Sequence, residues 1–180
     1  TLLAAFHRLL RAVHIREPFV WRHLMLSELA AMPDEIETLI RRVPVEKLDW
    51  KPESWEGIPG ERFSALEQAC HLRDIEIDGY HRRFGRTLTE ELPDLASIDS
   101  YVLAEMRDYA TDDALRALVA FRVAREETVA MLEKLRPAEW ERRAIFAEYG
   151  EVSLRGLAHI LRSHDLQHLA CLHWLLAKMA

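Results

Sequence analysis

One segment constrains this chain more than any other: from Leu154 to about Met179 no proline interrupts a helical apolar pattern. Placed about 100° apart, Leu154, Leu157, Leu161, Leu172, Leu175 and Met179 fall within a stripe of roughly 100°. Ser153 stands immediately before it, in the position of an N-cap. A helix this long, with one apolar face, can bury that face only against other secondary structure. The rest of the chain therefore has to supply packing partners of matching length.

The remaining signals are also helical. Leu24 to Arg42 is apolar at Leu26, Leu29, Met32, Ile36, Leu39 and Ile40, close to the helical period. Pro33 lies inside that run and predicts a kink, or a restart at Pro33-Asp34-Glu35. Val43 to Arg62 holds Pro44, Pro52, Pro59, Gly57 and Gly60 and reads as a connector. Ser64-Ala65-Leu66-Glu67 is a capping box, which starts a helix running to about Phe84, before Gly85. Thr87 to Ala96 reads as loop and Ile98 to Tyr109 as a short helix. Thr111-Asp112-Asp113 opens a long helix with acids in its first turn, which Pro137 ends after Arg136. Alternation appears only around Ala144 to Val152, too weakly to predict strands. Four main helices joined by substantial connectors describe an all-α bundle.

Composition bounds what such a bundle does. The 180 residues suit one domain and suffice for a sizeable core. A net charge of −6 argues against nucleic acid, because phosphate binding needs a concentrated basic face. Two cysteines with no CxxC pair exclude a disulfide scaffold or zinc ribbon and fit a reducing, cytoplasmic setting. Cys70 and Cys171 both read as core residues. No uncharged apolar run approaches the roughly 18 residues of a membrane span. Residues 1–24 differ from the rest, with Arg8, Arg11, Arg16 and Arg22 against one acid, Glu17. A transit peptide is usually Ser-rich and this segment has no serine. An extra packed helix, a non-native extension, or translation upstream of a start at Met25 all stay open, and no function is placed there.

The chemistry rests on the 9 histidines. His164 and His168 fall inside the apolar stripe of the last helix, while His159 and His173 fall on its other side. An i,i+4 pair aims two imidazoles at one point, which suits a shared metal ion. Two core histidines satisfied by hydrogen bonds have the same spacing, but burying imidazoles without partners is unfavourable. A third ligand has to come from another helix. The Ser64–Phe84 helix places Phe63, Leu66, Cys70, Ile77 and Phe84 on its apolar face, with a polar line of Glu67, His71, Asp74 and Asp78 beside it. His71 lies roughly 115° from the stripe centre at helical spacing, so periodicity alone does not turn it inward. Either that line is a solvated face with a Glu67–His71 pair, or it borders a cleft. In the cleft, His71 is a third ligand and Glu67 or Asp74 orients it or moves protons.

Ser64-Ala-Leu-Glu-Gln-Ala-Cys-His71-Leu-Arg-Asp74, preceded by Trp55, resembles the "W…E…H-L-x-D" segment of DinB/YfiT-like proteins. Ser163-His164-Asp-Leu-Gln-His168-Leu resembles their C-terminal "H-D-x-x-H" segment. The resemblance runs from about Met25 to the C-terminus, and the order of the two segments agrees with it. It implies an antiparallel four-helix bundle, often a homodimer, with one divalent metal, zinc or nickel, held by His71, His164 and His168. Activities it implies are metal-dependent transfer of low-molecular-weight thiols and a thiol-dependent isomerisation. The Gly57-Ile-Pro-Gly60 insertion departs from the pattern, and residues 1–24 have no counterpart in it.

Other designs fail on residues. A di-iron carboxylate bundle needs Glu-x-x-His on two helices, and none of the 20 glutamates has a histidine three positions later. HExxH, GxGxxG and GxxxxGK[ST] are absent. The leading expectation is an enzyme whose ion activates a small thiol or water against a small electrophile. A non-catalytic metal- or ligand-binding bundle is the alternative. A third reading is a helical interaction module that pairs through Leu166, Leu169, Trp174 and Leu176.

Overall fold

The computed structural model describes residues 17–58, 60–147 and 149–180. Six helices and three short strands make up the described chain: α1 (Glu17–Ile40), α2 (Ala65–Asp74), α3 (Arg82–Thr89), α4 (Ser100–Met106), α5 (Ala114–Glu133) and α6 (Leu154–Met179), with β1 (Asp94–Leu95), β2 (Arg143–Phe146) and β3 (Gly150–Ser153). A π-helical stretch, Ile75–His81, joins α2 to α3, so the three form one continuous rod. That rod, α1, α5 and α6 are the four long helices of the bundle. Backbones run close along α1/α5, α1/α6 and α2/α5, and less closely along α2/α6. The seam between α2 and α6 is therefore looser than those three.

The caps form where the side chains dictate. Ser64 Oγ accepts from the Glu67 N–H while the Glu67 carboxylate accepts from the Ser64 N–H, closing the capping box. Ser153 caps α6 through the Gly156 N–H and Asp113 caps α5 through the Arg116 N–H. The rod continues through Gly85 to Thr89, beyond the end expected at Phe84, because Gly85 stays helical and Glu90 is the first extended residue. The weak alternation around Ala144–Val152 folds as the antiparallel β2–β3 hairpin, and β1 joins it in parallel. This sheet is minor beside the helices. Helix α1 runs without interruption past Leu24 and Met25, and Trp21 donates to His159 on α6 at 2.9 Å. Residues 1–16 of the distinct N-terminal segment, and Pro59 of the Gly57–Gly60 insertion, lie outside the described residues. Trp55 stacks on Trp174 of α6 with 5.5 Å between ring centroids. Leu169 and Leu176 pack toward the core, and Leu166 is exposed.

The apolar interior has two parts. One contains Met25, Leu29, Phe84, Leu132, Phe146, Leu157 and Leu161. The other contains Ile36, Leu39, Cys70, Leu72, Phe121 and Leu172. Between them every long helix except α1 contributes buried polar side chains: His71 and Glu76 from the rod, Arg125 and Thr128 from α5, Asp165 and His168 from α6. Helix α1 contributes a backbone carbonyl instead. Pro33 has no N–H to give Leu29 O, and Arg125 Nη1 donates to that carbonyl at 3.1 Å. Of the kink or restart expected at Pro33, the restart does not occur: α1 is one helix from Glu17 to Ile40, and the bond the proline removes is replaced from α5.

Arg125 also holds Glu76 through two bonds of 3.0 and 2.8 Å, and Asp165 at 2.7 Å. Glu76 faces inward and Ile77 outward, the reverse of the simple helical reading. The wider i→i+5 turns of the π stretch advance each residue through a smaller angle, so a fixed 100° step misplaces the side chains beyond Asp74. Replacing Arg125 by Met strands two carboxylates and one carbonyl in the interior, at a cost of about 3–5 kcal/mol. Urea denaturation of R125M reads that loss. Combining it with apolar replacements at Glu76 and Asp165 recovers much of it, since the cost lies in unpaired charge.

Candidate metal centre

His164 and His168 stand one turn apart on α6, and His71 meets them from α2 across the loose seam. Nε2 of His164 lies 3.0 Å from Nε2 of His71 and 3.2 Å from Nε2 of His168. One ligand nitrogen from each of the three lies within 4.8 Å of the other two. Metal–nitrogen bonds of about 2.0–2.1 Å separate neighbouring ligand nitrogens by roughly 2.9–3.4 Å for bond angles of about 90–109°. The separations of the two contacts fall in that range.

The surrounding residues decide which nitrogens carry protons. Gln68, one turn before His71, donates through Nε2 to Phe63 O at 3.1 Å and to Cys171 Sγ at 3.2 Å. Its Oε1 is thereby left to accept from His168 Nδ1 at 3.3 Å. A proton on Nδ1 leaves a lone pair on His168 Nε2, facing the cluster. Beside His164, Asp165 Oδ1 lies 3.8 Å from Nδ1, and neither atom has a hydrogen bond. A small closure would pair them and turn the His164 lone pair inward in the same way. Burial, and then the neighbouring imidazoles, push the pKa of His71 and His168 well below the ordinary histidine value. Burial opposes ionisation of Asp165, yet Arg125 and His164 hold its carboxyl below the ordinary range. Three converging Nε2 atoms, two of them on buried imidazoles that resist protonation, beside a fixed anion are what a divalent cation requires. The residues fit that group.

Glu67 and Asp74, the carboxylates expected to flank His71, bond elsewhere. Glu67 closes the capping box and accepts from Lys51 Nζ at 2.7 Å. Asp74 accepts from Arg73 at 2.7 Å and from Tyr109 Oη at 2.8 Å, and pairs with Arg107 at 2.7 Å. The carboxylate against the cluster is Glu61, whose two oxygens lie 3.7 Å from Nε2 of His71 and 3.7 Å from Nε2 of His168. Glu61 sits in the Pro/Gly-rich connector, where no periodicity aims a side chain. Gln68 stands three residues before His71 on the capped helix, a spacing that could have marked it. Asp165 was visible inside "H-D-x-x-H" without an assigned role. His71 is buried despite its position off the stripe, because nine of the ten α2 residues are buried. Both cysteines are free and buried, as core residues are.

A cavity of about 560 Å³ opens onto His71, His164 and Glu61. Ile75, Ile98, Phe146 and Ile160 supply apolar wall, and Ser163 and Gln167 polar edge. That volume suits a small molecule. Among the described residues no helix is long and apolar enough to cross a membrane.

Residues 28–172 match the family described as the DinB superfamily. Among solved structures, YfiT from Bacillus subtilis is similar with a TM-score of 0.77 at 21% identity, over 88% of this chain and 87% of that one. YfiT is described as a probable metal-dependent hydrolase with an unusual four-helix bundle topology. At that identity the likeness carries the fold. No curated protein matches the chain.

The neutral imidazoles make the metal-free protein acid-sensitive. His71 and His168 protonate at lower pH folded than unfolded, so below about pH 6.5 the unfolded chain binds more protons. Stability is then full above that value and falls as pH drops, by up to about 1.4 kcal/mol per pH unit for each imidazole. Denaturation of chelator-treated protein across this range should give a shallower pH slope in an H71A/H168A variant than in the wild type.

Proposed function

The chain belongs to the DinB superfamily, and from that premise we propose that it is a metal-dependent enzyme acting on a small electrophile in the cavity above the three histidines. His71, His164 and His168 hold one divalent ion, zinc or nickel. The observation that carries this reading is the meeting of three histidine Nε2 atoms from two helices beside a cavity of about 560 Å³. A divalent ion on neutral imidazoles, with coordination positions left open, lowers the pKa of a bound water or thiol and polarises an electrophile.

The chain's own residues prepare that chemistry. Gln68 keeps the proton of His168 on Nδ1, and Asp165, held by Arg125, faces Nδ1 of His164. The first leaves Nε2 of His168 free for the ion, and a small closure of the second would do the same for His164. Ile75, Ile98, Phe146 and Ile160 exclude water from one side of a bound molecule. The description of YfiT supports water as the nucleophile. The thiol reading rests on the resemblance of the two histidine segments to DinB/YfiT-like proteins, and it makes the reaction a transfer or an isomerisation.

Protein purified without added metal should carry about one equivalent of divalent ion by elemental analysis. His71→Ala, His164→Ala and His168→Ala should each lose most of it. Stoichiometric metal retained in all three would defeat the reading. Turnover of activated esters or amides, assayed with and without a small thiol, then separates hydrolase from thiol transferase. Metal binding without turnover of either kind would leave the non-catalytic bundle.

A further inference from the structure

The geometry points to Glu61 as a fourth protein ligand of the same ion, an anionic oxygen donor added to the three imidazoles. This rests on the three-histidine reading above. The Glu61 oxygens lie 3.7 Å from the Nε2 atoms of His71 and His168, one oxygen against each ring. At His168 the hydrogen bond from Nδ1 to Gln68 leaves a lone pair on Nε2, so a carboxylate faces an acceptor there. Two acceptors turned toward each other are unfavourable unless a proton or a metal cation lies between them. Moving inward by well under 1 Å brings its oxygens to the roughly 2.9–3.4 Å spacing of neighbouring ligand atoms on one ion.

The carboxylate is also held in place. Ser100 Oγ donates to Glu61 Oε1 at 2.8 Å, from the first residue of a helix that Asp99 caps. The next residue is fixed by the bond from the Arg62 N–H to Tyr101 Oη at 3.0 Å. Phe63 is buried against the His71 ring, with 5.3 Å between ring centroids, and its carbonyl anchors Gln68. Segment 61–63 and the start of α4 thus position one oxygen donor, as neighbouring hydrogen bonds position ligating carboxylates. A carboxylate lowers the net charge at the ion from two to one. With four protein donors, open positions require a coordination number above four, which nickel or cobalt accepts more readily than tetrahedral zinc.

The test measures metal affinity and cobalt spectra of the full chain, with no substrate present. Wild type, Glu61→Ala, Glu61→Gln and Ser100→Ala are titrated with Co²⁺ against a competing chelator, and their visible absorption is recorded. We expect E61A to bind at least about tenfold more weakly with a shifted cobalt spectrum. E61Q should fall between it and the wild type, and S100A should lose less in the same direction. Unchanged affinity and spectrum in both Glu61 variants, with wild type binding one ion, would overturn the assignment and leave the three-histidine site standing. A wild type that binds no ion would remove the three-histidine reading itself. Circular dichroism of the metal-free variants identifies any folding defect, and the isosteric E61Q then carries the comparison.

Discussion

Arg125 is where the bundle is joined. Its guanidinium donates two bonds to Glu76 on the rod, one to Asp165 on α6 and one to the Leu29 carbonyl on α1, while its own stem belongs to α5. All four long helices therefore depend on a single buried cation. Burial works against the charge, but Asp165 and Glu76 hold the guanidinium protonated. Such a group is weak evidence for net stability, because desolvation offsets much of the attraction. Its directional bonds nevertheless set which residues of four helices stand level with one another.

The histidine cluster lies in the same polar layer. Asp165 connects the two, with one oxygen on Arg125 and the other turned toward His164. Glu76 and Asp165 bring two negative charges against the one positive charge of Arg125, so the layer carries an excess negative charge beside the imidazoles. A cation on the histidines would balance it at short range and low dielectric, where charge interactions are strong. The π-helical stretch is part of the same arrangement, since it turns Glu76 inward one turn after His71. Irregular turns of this kind often accompany functional sites.

Much of this was legible residue by residue. The capping box at Ser64, the Ser153 cap and the apolar stripe of α6 are local signals, and the helices begin where those signals stand. His164 and His168 lay on that stripe and are close together in space. His71 was legible as a member of a familiar pattern, but its burial was not, because a helix covered on nearly all sides has no polar face for periodicity to find. Glu61 was invisible, since a connector carries no period. The uninterrupted course of α1 through Pro33 was also hidden, because the group that replaces the lost N–H comes from a residue 92 positions away.

What the sequence alone determined is therefore local: helix starts, apolar faces and the pairing of two imidazoles one turn apart, all properties of residues within a few positions of each other. The tertiary structure decided which groups share a buried volume. It placed the Gln68 amide on His168, turned Glu61 toward the histidines, committed Glu67 and Asp74 to Lys51 and to Arg73, Arg107 and Tyr109, and gathered two acids and a carbonyl around Arg125. The physical reason is that a polar group taken out of water must be satisfied by whichever partner packing brings within reach.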